Sequence, residues 1–133
     1  MSRLLVVSSE YVMGKKSFGP IVQNEFPGVN IDYALTARDF VNDFKGVQYD
    51  AVIIHAPLFL VNAGGYQIPN DIALKVLEDL RRDVTNVGTP VFIGDHQTSR
   101  LADYIRVSGS ENTFIEDVRS HNDYVPLLED ILE

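Results

Sequence analysis

Residues 51–54, Ala-Val-Ile-Ile, follow Tyr49-Asp50 and precede His55 with no polar residue interleaved among them. A strand with one wet face alternates apolar and polar side chains, so an unbroken apolar run of this length reads as a strand buried on both faces. That is the condition of a central strand in a parallel sheet covered by helices. Residues 4–7 and 91–93 are runs of the same kind, and the stretches between them carry apolar residues at helical spacing. Short buried runs alternating with amphipathic stretches predict an α/β fold with a parallel sheet and helices on both faces. At 133 residues, 45% hydrophobic and 23% charged, the chain has the material for one packed core and not for two, so residues 1–133 are expected to form a single domain.

Along the chain the first strand, residues 4–7, gives way to the polar turn Ser8-Ser9-Glu10. Phe18, Ile21, Val22 and Phe26 then have helical spacing. Pro20 fits this helix only in its first turn, so the helix is expected to begin late and to close at Pro27-Gly28. Residues 30–34 read as the second strand, and Thr36 with Asp39 resembles a capping box opening a helix that carries Phe40, Val41 and Phe44 and ends at Gly46. The third strand is residues 51–55. Residues 57–69 read as a loop, longer than the roughly two to six residues usual for such a connection.

Asn70 is placed to cap the clearest helix. Ile72, Ala73, Val76, Leu77 and Leu80 form its apolar stripe, with Lys75, Glu78, Asp79, Arg81 and Arg82 away from it. Thr89-Pro90 leads into the fourth strand, residues 91–93, which exits through Gly94-Asp95-His96. Thr98 or Ser99 can cap a fourth helix bearing Leu101, Ala102 and Ile105. Residues 113–115 give a fifth strand, and residues 122–132 a last helix burying Tyr124, Leu127, Leu128, Ile131 and Leu132. The expectation is five strands and five helices.

Nineteen acids against eleven Lys and Arg give a formal charge of −8, which repels nucleic-acid phosphates and anionic lipid. The basic pairs Lys15-Lys16 and Arg81-Arg82 are too short to reverse this and read as solvated surface. No nucleic-acid or membrane partner is expected. With no cysteine there is no disulfide, thiolate metal site or thiol nucleophile. The opening apolar run is too short for a signal peptide and no stretch is long enough to span a bilayer, so a cytoplasmic location is expected. No output module is expected within these residues, and a stand-alone adaptor and a domain of a longer protein would read alike.

Four stretches resemble, in order and spacing, the receiver domain of two-component response regulators: Leu-Leu-Val-Val-Ser-Ser-Glu, Tyr-Asp-Ala-Val-Ile-Ile-His, Thr-Pro-Val-Phe-Ile-Gly-Asp and Gly-Ser-Glu-Asn-Thr-Phe-Ile-Glu-Asp. The resemblance implies a flavodoxin-like three-layer sandwich with strand order 2-1-3-4-5 and a site at the carboxyl ends of the strands. In a working receiver, two acids after the first strand and an aspartate ending the third hold magnesium, and that aspartate takes the phosphoryl group. Here the positions matching the two acids are Ser8 and Ser9, with Glu10 the nearest carboxylate, and the phospho-acceptor is matched by His55. Gly94 or Asp95 stands where a hydroxyl is expected, and Glu116 or Asp117 where a lysine is. The chain resembles an atypical member, a pseudo-receiver: a regulatory protein–protein interaction domain and signalling adaptor that is neither phosphorylated nor an enzyme. The resemblance further implies that a protein partner or a homodimer contact uses the face of helix 4, strand 5 and helix 5, residues 98–132.

Other chemistry is weaker. His55, His96, Glu10, Asp95 and Asp117 lie near strand exits, but they come from four loops without short-range ligand spacing, and solvated polar loops account for them. No metal or cofactor is therefore expected. A Ser/His/Asp hydrolase lacks a Gly-x-Ser-x-Gly elbow, so no catalytic residue is assigned. Gly64-Gly65 reads as a turn. Leu58, Phe59, Leu60, Val61, Tyr66 and Ile68 make the long loop unusually apolar, either as a lid or as an interface. The alternative function is a small-molecule-binding domain or small enzyme using the strand edge around His55, Asp95 and His96.

Overall fold

The computed structural model describes residues 2–8, 18–34, 40–55, 59–61, 64, 67–69, 71–95, 112–117 and 121–132. Seven strands are found among them: β1 (Arg3–Ser8), β2 (Asn30–Ala34), β3 (Ala51–His55), β4 (Phe59–Val61), β5 (Gln67–Pro69), β6 (Val91–Asp95) and β7 (Thr113–Asp117). Five form a parallel sheet in the order β2-β1-β3-β6-β7, which is the expected 2-1-3-4-5 winding once β4 and β5 are set apart. The fold is α/β and flavodoxin-like, as the alternation of buried runs and amphipathic stretches predicts.

The pleat divides the apolar runs between two cores. Leu5, Val7, Val52, Ile54, Val91 and Ile93 pack on one face with Val76, Leu77 and Leu80 of the helix Asp71–Arg82. Leu4, Val6, Ala51, Ile53 and Phe92 pack on the other with Phe18, Val22, Phe26, Tyr124, Leu128 and Leu132. Each face needs its own cover, which is why the strands show no polar alternation.

Helix α1 (Gly19–Glu25) begins late with Pro20 in its first turn, as expected. Phe26 N–H donates to Val22 O at 2.8 Å, and Gly28, at φ +89°, turns the chain toward β2. After β2, residues 40–44 make a single wide π-type turn, and Gly46 at φ +86° ends it; the capping pair Thr36 and Asp39 lies outside the described residues. Helix α2 (Asp71–Arg82) buries Val76, Leu77 and Leu80 as predicted, while Asn70, its expected cap, lies outside the described residues. So does the helix expected from Thr98 or Ser99.

Two expectations are corrected. Residues 57–69 are not simply a loop, since β4 and β5 pair antiparallel as a hairpin. The sequence carries the reason: apolar segments flank Asn62-Ala63-Gly64-Gly65, a strand–turn–strand signature. The last helix is not continuous either. A 3-10 turn (His121–Tyr124) precedes α3 (Val125–Leu128), and turns follow it. Pro126, in the first turn of α3, has no N–H to give to a preceding turn, so a helix cannot run through it unbroken. Tyr124, Leu128 and Leu132 are still buried, and Tyr124 meets Phe18 edge to face at 5.3 Å.

Candidate functional site

In a sheet wound this way the strands present their carboxyl ends along one edge. The pairing register fixes which residues share that edge. Val7, Ile54, Ile93 and Ile115 form one row across β1, β3, β6 and β7, the first three of them buried. One residue further out, Ser8 pairs with His55 and Gly94 with Glu116; because Ile54 and Ile93 are partners, His55 and Gly94 reach the same level. Asp95 and Asp117 pair in the row beyond. Thus Ser8, His55, Gly94 and Glu116 make one rank and Asp95 with Asp117 the next. Ser9, Glu10 and His96 lie outside the described residues.

The distribution of residue types along this edge is informative. The central strands end in a hydroxyl and an imidazole, and the outer pair ends in acids. Neighbouring strands run about 4.8 Å apart, so the pair Asp95 and Asp117 brings two acidic residues to the same level on adjacent strands. Such an edge disfavours an anion where it is most acidic. The hairpin is rooted here too, because β4 begins four residues after His55 and β5 ends two residues before α2. Leu58 and Tyr66 of the apolar segment lie outside the described residues, while Phe59, Leu60, Val61 and Ile68 fall in β4 and β5.

The opposite end of the sheet carries a polar network that the sequence did not announce. Arg3 Nε and Tyr49 Oη both donate to Asp32 Oδ2 at 2.9 Å, and the Arg3 backbone N–H donates to Asp50 Oδ2 at 2.8 Å. Burial, reinforced by the bond to Asp32, pushes the Tyr49 phenol up, so it stays neutral. Asn86 uses its full bonding capacity: its amide donates to Val47 O at 2.7 Å and Asp83 Oδ2 at 3.1 Å, and its Oδ1 accepts from Tyr49 N–H and Thr89 Oγ1, both at 3.1 Å. Asp83 also accepts from the backbone N–H groups of Gly46 and Thr85 at 3.1 Å. Burial alone would raise the Asp83 pKa, but these bonds outweigh it and hold the carboxyl below the usual aspartate range.

Arg81 is not the solvated residue its pairing with Arg82 suggested. Its guanidinium donates to the carbonyls of Val87 at 3.0 Å, Thr89 at 2.9 Å and Asn112 at 3.1 Å, and to Thr113 Oγ1 at 2.8 Å. It pins the end of α2 to the start of β7, and burial pushes its pKa down. Arg82 does point to solvent, 2.7 Å from Glu78 one helical turn back. On β7 itself, Phe114 is exposed and stacks on Phe92 with ring centres 5.5 Å apart.

No family model matches the chain, and no curated protein matches it in sequence. Solved structures do match along nearly its whole length. The chemotaxis response regulator CheY4 of Vibrio cholerae superposes with a TM-score of 0.71 at 14% identity, covering 99% of each chain. The CheY-like receiver domain protein from Methanospirillum hungatei gives 0.69 at 13% identity, over 98% of this chain and 92% of that one. The response regulator TrrA from Thermotoga maritima, solved in complex with magnesium and BeF, gives 0.66 at 17% identity, over 99% and 100%. At these identities the common property is the backbone: the chain has the CheY-like receiver fold.

Proposed function

We propose that this chain is a pseudo-receiver, a regulatory domain that works through protein contact and not through aspartyl phosphorylation. The observation that carries the reading is the rank of the sheet edge in which Ser8 and His55 end the two central strands and Glu116 pairs with Gly94 on the next two. Phosphoryl transfer at such an edge needs carboxylates to hold the metal and a cation to receive the anion. Ser8 supplies no charge, and Glu116 and Asp117 oppose the anion in either register. On this reading Ser8, Ser9, Glu10, His55, Asp95, Glu116 and Asp117 stand in sequence where a receiver has its site, without its charge pattern.

Partner contact is assigned to the face that includes β7. Support comes from Phe114, a large aromatic left 45% exposed on the last strand of the sheet. Among the described residues no helix is long and apolar enough to cross a membrane, and the charge of −8 stands against nucleic acid as the partner.

The test is incubation with a small-molecule phosphodonor and magnesium, read by intact mass. The wild-type chain is expected to remain unmodified, and so is His55→Asp, since restoring one carboxylate leaves the serines and the reversed charge in place. A stable phosphoadduct on the wild-type chain overturns the proposal. For the contact face, Phe114→Lys is expected to release partners that the wild-type chain retains in a pull-down, with its circular dichroism unchanged.

A further inference from the structure

The hairpin is the feature that the receiver-like reading leaves unused. Its register is Phe59 with Pro69, Leu60 with Ile68 and Val61 with Gln67. Opposed residues in an antiparallel pair alternate between exchanging both main-chain hydrogen bonds and exchanging none. Pro69 has no N–H, so its pair with Phe59 cannot be a bonded one. The bonded pair is therefore Leu60 with Ile68, and the main-chain groups of Phe59 and Val61 face away from β5, along the outer edge of β4. That edge has no strand beside it among the described residues. The outer edge of β5 is blunted by the same proline, a common protection against strand addition.

We propose that the outer edge of β4 pairs with the same edge of a second copy of this chain, joining two hairpins into a four-stranded antiparallel sheet across a two-fold axis. The argument for a second copy is the fit of β4 to itself. With the axis at Leu60, Phe59 of each copy opposes Val61 of the other, and these are the two residues whose N–H and C=O groups face outward. Aromatic opposite β-branched is a favourable cross-strand pairing. The symmetry is isologous and closes at two copies. Charge agrees with it: residues 56–70 contain no Asp, Glu, Lys or Arg, so two chains of charge −8 can meet there without burying like charges. A hairpin of two three-residue strands is marginal by itself, and two more strands remove that weakness. This contact is separate from the β7 face.

The experiment combines light scattering on a sizing column with cross-linking. The wild-type chain is expected to run as a dimer, with the dimer favoured by added salt because screening weakens the repulsion between two acidic chains. Val61→Pro removes one outward N–H while sparing the Leu60–Ile68 bonds, and is expected to abolish the dimer while the circular dichroism of the folded chain is retained. Leu60→Cys gives an independent reading in a chain without cysteine. At a non-bonded pair on the axis the two Cα atoms lie about 4.5 Å apart, within disulfide reach. With oxidised glutathione Leu60→Cys is expected to become a covalent dimer on a denaturing gel, while Val84→Cys, at a position 89% exposed elsewhere, forms no such cross-link. A wild-type chain that is monomeric at every concentration overturns the proposal. So does a dimer that survives Val61→Pro but is lost in Phe114→Lys, which assigns it to the β7 face instead.

Discussion

Arg81→Ala would strip the donor from the carbonyls of Asn86, Val87, Thr89 and Asn112 and from the Thr113 hydroxyl at the junction of α2, the following turn and β7. The expected loss of unfolding free energy is about 2 kcal/mol in urea titration, part of the cost being offset because buried Nε has no partner among the described residues. Arg81→Lys should recover less than half, since an ammonium cannot span acceptors that a planar fork reaches together. Arg82→Ala, by contrast, loses one exposed pair with Glu78 and should cost less than about 0.5 kcal/mol. Nothing in the helical spacing separates these two arginines; the difference lies in what Asn112 and Thr113 bring back to α2 from 31 and 32 residues away, and such returns are invisible to local pattern. Asp83 carries a pH prediction. Its folded pKa lies below the usual 3.8, so the stability it contributes is complete above that value and is lost as pH falls through the lower folded one. Asp83→Asn should therefore be less stable than wild type by about 1–2 kcal/mol at neutral pH, with the gap narrowing below about pH 4 in acid titrations followed by circular dichroism.

Burial on α2 follows its stripe, so at the scale of elements Leu80→Ala should cost about 2–5 kcal/mol, with a visible fall in melting temperature. Val84→Ser, one turn on and exposed to solvent, should change stability by less than about 0.5 kcal/mol in the same melts. Elements were legible where one physical cause ruled. β2 and β3 fall on residues 30–34 and 51–55 as read, because burial on two faces leaves an unmistakable apolar run in β3 and the break at Pro27-Gly28 marks the approach to β2. They were less legible where two causes competed. The last helix has good apolar spacing, but Pro126 forbids a through-running bond ladder and breaks it into short turns. The hairpin is obscured by the length of the connection, although Asn62-Ala63-Gly64-Gly65 between apolar segments carries the signal. At the candidate site the residue types were readable, but which of Gly94 or Asp95 stands level with His55 depends on pairing between strands, and only the register supplies it.

Taken whole, the molecule carries an excess of eight negative charges that repel one another in the compact state, so its melting temperature should rise as salt is added from about 10 mM to about 150 mM. A melting point that falls with salt would mean that specific ion pairs such as Arg3 with Asp32 outweigh the general repulsion. The same sheet that sets the candidate edge also has a consequence for how the chain opens. β1 and β3 each have a strand on both sides and a core on both faces, with Leu4, Leu5, Val6, Val7 and residues 51–54 at most 1% exposed. No fluctuation confined to a helix or an outer strand frees their amides, so their protons can leave only when nearly everything else has come apart. In deuterated buffer Leu5, Val6, Val52 and Ile53 should be the last amides to exchange, at rates tracking global unfolding, while Phe114 on the outer strand exchanges through smaller openings. The two strands that end in Ser8 and His55 would then be the most persistent memory of the native state, and the edge they carry would lose its form last.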